Sequence, residues 1–342
     1  MNNVPILEIL LFCLGLGALI KGGDWFVDGA TGIAKRFHIP ELIIGATVVS
    51  IGTTLPEVMV SATRALRGVS SMAYGNALGS VICNTALIAA LSAAVKPVYV
   101  DRKTLAAPVA FFFGAAAVFA GAAYMVGGFP RAVGMVLLLL FVCYITYTVW
   151  NETRNEGAPE TDADLEAAVT GEEPEKNTAK LLGFDVSRTV KSGVLLAVGA
   201  ILVAVGASLL VDNGTVIAAW LGVPDTVIAL TFIALGTSLP ELVTAVTALI
   251  KGHGSLSLGN IIGANLMNLT LVSGAAVTLS PFPVPEEHLV GGVNASLAVD
   301  LPVMLAVMAI LTLPALIRRK VSRWQGFLLL AIYAGFLAFQ FL

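Results

Sequence analysis

The sequence predicts an all-α polytopic membrane protein: ten transmembrane helices arranged as two inverted five-helix repeats. Three observations predict it. Only 12% of the 342 residues are charged and 57% are hydrophobic, against about 25% charged in an ordinary soluble domain. The apolar residues gather in blocks long enough to span a bilayer, which takes about 20 residues each. The second half of the chain also matches the first at a fixed offset of 184 residues.

Ten blocks are read in order, at 5–33, 41–66, 72–95, 105–127, 130–150, 190–221, 226–250, 255–280, 295–317 and 324–341. The first is not a removable signal. It lacks a basic leader and runs directly into Lys21, Asp24 and Asp28. The first five blocks form one half, residues 1–150, and the last five form the other, residues 190–342. Between them, residues 151–189 form an acidic cytoplasmic linker that includes Glu152, Glu156, Glu160, Asp162, Asp164, Glu166, Glu172, Glu173 and Glu175. That composition reads as a solvated tether. The spaced ligands of a calcium-binding EF-hand are missing from it. Cys13, Cys83 and Cys143 fall inside apolar blocks and read as small buried hydrophobes.

Lys and Arg beside helix ends mark the cytoplasmic side. With the N-terminus outside, the inner loops receive Lys35, Arg36, Lys96, Arg102, Lys103, Lys251, Arg318, Arg319, Lys320 and Arg323. The outer loops receive only Arg64, Arg67 and Arg131. Both termini are therefore expected outside the cytoplasm, in a multi-pass cell (inner) membrane protein. Composition excludes a soluble or nucleic-acid-binding chain.

The offset of 184 residues carries Gly52-Thr53-Thr54-Leu55-Pro56-Glu57 onto Gly236-Thr237-Ser238-Leu239-Pro240-Glu241. The same offset carries Gly75, Asn76, Gly79 and Asn84 onto Gly259, Asn260, Gly263 and Asn268, and Gly22 and Asp28 onto Gly206 and Asp212. Apolar bias can align Leu with Leu, but not Pro-Glu and Gly-Asn pairs in one register. The repeated motifs span 47–87 and 231–271. Five spans per half is an odd number, so the second copy enters from the opposite face. Inverted repeats of this kind place substrate sites near the midplane, where the halves meet.

The repeated motifs are rich in oxygen. A proline inside an apolar block frees the carbonyls before it, and in a membrane these need protein, water or an ion as partner. Glu57 and Glu241 are acids at membrane depth, each costing at least about 2.5–3.5 kcal/mol on insertion scales. No Lys or Arg interrupts their blocks away from the ends. A cation between them is the expected compensation. Ser80 and Asn84 share a helical face, and Asn268 matches Asn84 in the second copy. The glycine pairs Gly75/Gly79 and Gly259/Gly263 have the spacing that lets helix backbones approach closely. Calcium takes 6–8 oxygens, and sodium accepts the same kind of ligand. Zinc and copper would call for His or Cys, and His38, His253 and His288 fall at loops.

These doubled motifs resemble those of the sodium/calcium exchangers of the cation/calcium antiporter superfamily, in a prokaryotic-type member. The resemblance implies exchange of calcium for sodium by alternating access, without catalysis and without a bound cofactor. It implies Glu57, Glu241 and the carbonyls of Thr53 and Thr237 as calcium ligands, with Asn84 and Asn268 lining the same centre. It implies sodium sites drawn from Ser50, Thr54, Ser80, Ala234 and Ser238. The transported ions and the lipid bilayer are the implied partners, and a monomer the working unit. The chain departs from the family pattern at Thr54, Val81 and Ala264, and Asn268 stands where some members are acidic. A calcium/proton antiporter using the same glutamates is the nearest rival. An uncoupled channel is a further one.

Overall fold

The computed structural model describes residues 5–67, 70–152, 186–222, 236–285, 289–290 and 292–340. The expected residues 226–235, which include Thr231 and Ala234, most of the acidic linker, and His288 lie outside the described residues.

A helix stands in every apolar block. These are α1 (Ile6–Phe37), α2 (Glu41–Leu66), α3 (Tyr74–Val95), α4 (Arg102–Val126), α5 (Arg131–Asn151), α6 (Thr189–Trp220), α7 (Leu239–Ile250), α8 (Gly254–Leu279), α9 (Ser296–Arg318) and α10 (Arg323–Gln340). Among the described residues, eight of these, α1 to α6 with α8 and α9, are long and apolar enough to cross a membrane. The described part of α7 is shorter, at 12 residues.

Burial sorts the helices into layers. Along their apolar windows, α8 is 83% and α3 72% buried, while α1 and α6 are each 22% buried. The centre of the molecule is thus α3 and α8, flanked by α2 and α7. The long helices α1 and α6, 32 residues each, lie on its flank. Their outer faces carry exposed Leu10, Leu14, Ile201 and Val205, as expected where the surroundings are hydrocarbon rather than water. The cysteines depart from the expected burial for the same reason. Cys83 is buried, but Cys13 and Cys143 are exposed, because in this class of protein an apolar position can face lipid instead of the core.

α1 and α6 run antiparallel in backbone contact. A side chain placed on Gly199 would meet the carbonyl of Gly22 at 2.9 Å, and one on Gly15 would meet the carbonyl of Gly206 at 3.0 Å. Only small residues permit that approach. The other glycine spacing behaves asymmetrically. A side chain on Gly263 would lie 2.6 Å from the Cα of Ala46 in α2, so α8 and α2 touch there. Gly75 and Gly79 have nothing within 4 Å of an added Cβ. The close-packing expectation holds for the second copy and fails for the first, where α3 has room beside it.

Two short ribbons join the halves. Strand β1 (Val98–Tyr99), after α3, pairs antiparallel with a strand before α10, Val98 opposite Val321. Strand β2 (Gly128–Phe129), before α5, pairs with β3 (Phe282–Pro283), after α8. Each half therefore lends the segment after its third helix to the segment before the other half's fifth.

Candidate cation site

The two proline motifs are built differently despite their likeness. α2 continues through Pro56, with Ser50, Thr53, Thr54 and Glu57 all on its buried side. The second copy turns at Thr237 and Ser238, and α7 starts at Leu239 with Pro240 in its first turn. There the missing N–H of proline removes nothing, since first-turn N–H groups have no intrahelical acceptor. Glu241 consequently sits in the first turn of α7, where the helix dipole favours negative charge.

Glu57 and Glu241 are each 0% exposed, and the helices that carry them, α2 and α7, pack against one another. Neither oxygen of Glu57 has a hydrogen-bond partner among the described residues, nor has Oε2 of Glu241. Thr54 donates to Glu241 Oε1 at 3.4 Å, across the halves. Among the described residues no group of three or more His, Cys, Asp and Glu assembles.

Asn84 and Asn268 are also fully buried, and both side-chain polar atoms of each lack a partner among the described residues. Each begins a π-helical turn, Asn84–Ala89 in α3 and Asn268–Val272 in α8. Such turns interrupt the regular backbone ladder and recur at functional sites. The Asn84 turn packs against α7, which carries Glu241, and the Asn268 turn against α2, which carries Glu57. Each glutamate-bearing helix thus packs against the amide-bearing turn of the opposite half. Each buried polar group left without a partner calls for an explanation, and these four side chains lie on helices packed against one another.

Around this centre, Ser50 and Thr54 are fully buried, and Ser80 and Ser238 nearly so. Ser50 donates to the carbonyl of Thr47 at 3.1 Å, while the Ser238 hydroxyl has no partner among the described residues. Thr237 is half-buried. The structure brings Glu57, Glu241, Thr53, Thr54, Asn84 and Asn268 onto the packed faces of α2, α3, α7 and α8. Ala234 lies outside the described residues.

Several polar residues outside the expected set hold this frame. Thr53 Oγ1 donates to Asn260 Oδ1 at 3.2 Å, and Thr237 Oγ1 to Asn76 Oδ1 at 3.5 Å. Each contact is the 184-residue image of the other with the halves exchanged. Asn76 and Asn260 are visible in the sequence as the asparagines of the repeated Gly-Asn pair, but nothing in the pattern marks them as partners of the two threonines. Asn265 donates from Nδ2 to Thr85 Oγ1 at 2.7 Å and to the Met308 sulfur at 3.2 Å. This bond ties α8 and α9 to the residue after Asn84. Neither Thr85 nor Met308 has a sequence signal, since both look like ordinary residues of an apolar block.

Comparison with known proteins agrees with this architecture. The family model for sodium/calcium exchanger protein matches residues 7–150 and 191–342. The chain is 37% identical over 332 residues to a membrane protein of Methanocaldococcus jannaschii, covering 96% of each. It is 31% identical over 357 residues to sodium/calcium exchanger MaX1 of Methanosarcina acetivorans, covering 98% of each. Among solved structures, one of the sodium-calcium exchanger NCX_Mj superposes with a TM-score of 0.75 at 35% identity, covering 97% of this chain and 98% of that one. This multi-pass membrane protein therefore belongs to the sodium/calcium exchanger family, and it is an ion transporter rather than an enzyme.

Proposed function

We propose that the chain exchanges calcium for sodium by alternating access, with Glu57 and Glu241 as the shared centre. The observation that carries this reading is the pair of fully buried glutamates whose oxygens are largely without protein partners. Two carboxylates bring two negative charges, which one divalent or two monovalent cations would neutralise. Burying them uncompensated costs several kcal/mol each, so the unloaded centre resists being sealed from water. That cost is what couples the two fluxes. Calcium would take carboxylate oxygens of Glu57 and Glu241 with the carbonyls of Thr53 and Thr237, and Asn84 and Asn268 would complete the oxygen shell. Sodium would use the neighbouring oxygens of Ser50, Thr54, Ser80, Ala234 and Ser238 together with the same carboxylates. The names of the similar proteins, MaX1 and NCX_Mj, speak for sodium as the counter-ion.

The architecture in this reading is ten spans in two inverted halves, 1–150 and 190–342, joined by a cytoplasmic linker at 151–189. The termini are outside, and the monomer in the cell membrane is the working unit. The antiparallel run of α1 against α6, which occupy equivalent places in the two halves, supports inversion. The test is calcium uptake into proteoliposomes of purified protein. Uptake driven by an outward sodium gradient is expected. Uptake driven only by a pH gradient would instead make the glutamates proton carriers and the protein a calcium/proton antiporter.

A further inference from the structure

Lys251 caps the end of α7 and reaches across to α1. Its Nζ lies 2.8 Å from Asp28 Oδ1 and 3.3 Å from Asp24 Oδ1, and it donates to the Asp24 carbonyl at 3.1 Å. This cluster ties the flanking α1/α6 pair to the central helices at one end.

The repeat register gives the tie an image. Shifted by 184 residues, Asp28 falls on Asp212 and Lys251 falls on Arg67. Arg67 caps the end of α2, as Lys251 caps α7. Asp212 lies on α6, as Asp28 lies on α1. Both Arg67 and Asp212 are exposed, and no ion pair joins them among the described residues. The first pair is closed while its image is open.

The two positions are far apart along the α1/α6 pair. Gly15 meets Leu209, Gly22 meets Leu202 and Gly29 meets Leu196. In that register Asp212 stands level with residue 12 of α1, about sixteen residues and hence ~24 Å from Asp28. That is most of the thickness of a hydrocarbon core, about 30 Å. Motion of the α1/α6 pair along its own axis would open one tie as it brought the other together.

We propose that Lys251 with Asp28 and Asp24, and Arg67 with Asp212, are two alternating ionic latches, one at each membrane face, that hold the two ends of the transport stroke. The proposal rests on the alternating-access reading above and adds to it the residues that mark each end state. The latches suit that task because they keep part of their exposure. The Lys251, Asp24 and Asp28 side chains keep 27%, 39% and 53% of their exposure. An exposed ion pair is individually weak, so it biases a state without freezing it. A deeply buried pair would stop the cycle.

The test is cross-linking of the purified, reconstituted protein with a short bifunctional thiol reagent, after Ser replaces Cys13 and Cys143. One variant carries Asp28→Cys with Lys251→Cys, a second carries Arg67→Cys with Asp212→Cys, and a third carries all four. Each pair is expected to cross-link in a fraction of molecules, and in the third variant no chain carries both links. Both links on one chain, or no link at 67/212, overturns the latches. Should the cysteine variants fail to fold, the single changes Asp28→Asn and Asp212→Asn serve. They are expected to move the apparent calcium KM at the two faces in opposite directions by a few-fold, and an equal shift or none overturns the proposal. The cross-linking readout does not depend on which ion drives transport. Failure of sodium-driven uptake in the wild type therefore counts against the exchange reading alone.

Discussion

Thr53 of α2 donates its hydroxyl hydrogen to the side-chain carbonyl of Asn260 in α8, 3.2 Å away in the opposite half of the chain. The Thr237–Asn76 contact, at 3.5 Å, repeats it with the halves exchanged. These bonds place each proline-glutamate motif against the Gly-Asn motif of the other copy. A buried neutral hydrogen bond contributes about 0.5–1.5 kcal/mol. A double-mutant cycle of Thr53→Val and Asn260→Ala is therefore expected to show coupling of about that size in thermal or denaturant stability. The Val substitution keeps the Thr53 carbonyl, so calcium binding should fall less than in any Glu57 variant. Strict additivity of the two changes would count against the bond.

The buried glutamates make an unusual stability prediction. In chelator at alkaline pH, Glu57→Gln and Glu241→Gln should each raise stability by about 1–3 kcal/mol, since a neutral amide is cheaper to bury than a charge. Added calcium should reverse the order. A ligand at one hundred times its Kd stabilises the wild type by about 2.7 kcal/mol, and the variants should gain little. Scanning calorimetry with and without calcium reads both effects.

Close contacts between the flanking pair and the centre predict where movement is sensitive. A side chain on Gly52 would meet the ring of Phe26 in α1 at 2.9 Å, and one on Gly236 would meet Val211 in α6 at 2.7 Å. Gly52 and Gly236 are images in the repeat, so α1 and α6 press on equivalent points. Gly52→Ala and Gly236→Ala should slow exchange at saturating calcium, with overpacking costing about 1–3 kcal/mol. Gly79→Ala, with nothing within 4 Å of the new atom, should keep or raise stability, by up to about 1 kcal/mol from the better helix propensity of Ala.

The Asn265 bridge predicts a milder, one-sided effect. Asn265→Leu removes the donor to Thr85 and Met308 and releases the backbone turn that begins at Asn84. Calcium affinity should weaken by about 1 kcal/mol, roughly fivefold. Equilibrium calcium binding with a folded variant measures it. Unchanged affinity would separate this bridge from the centre.

Much of this was legible in the sequence because the membrane imposes simple rules. Helices stand in every apolar block, since a bilayer offers the backbone few alternatives. Glu57 and Glu241 were conspicuous because an acid at membrane depth needs a reason, and the repeat gave each a partner. Other features depended on three-dimensional packing. The π-helical turns at Asn84 and Asn268 have no compositional mark. Pro56 lies within a continuous helix, whereas Pro240 opens one, although their neighbours are nearly identical. Gly79 and Gly263 occupy equivalent positions, yet only Gly263 touches another backbone. Cys13 and Cys143 were expected inside because apolar residues usually are, and here the lipid-facing surface is apolar as well.

Competition at the glutamate pair is the central claim, and calcium binding titrated with sodium tests it most directly. Purified wild-type protein should bind calcium with an apparent Kd that rises steadily with sodium. Glu57→Gln and Glu241→Gln should each weaken binding by about 10- to 100-fold, the loss of a charged ligand worth about 1.5–3 kcal/mol. Wild-type calcium affinity in either variant, or calcium binding indifferent to sodium, would contradict the account.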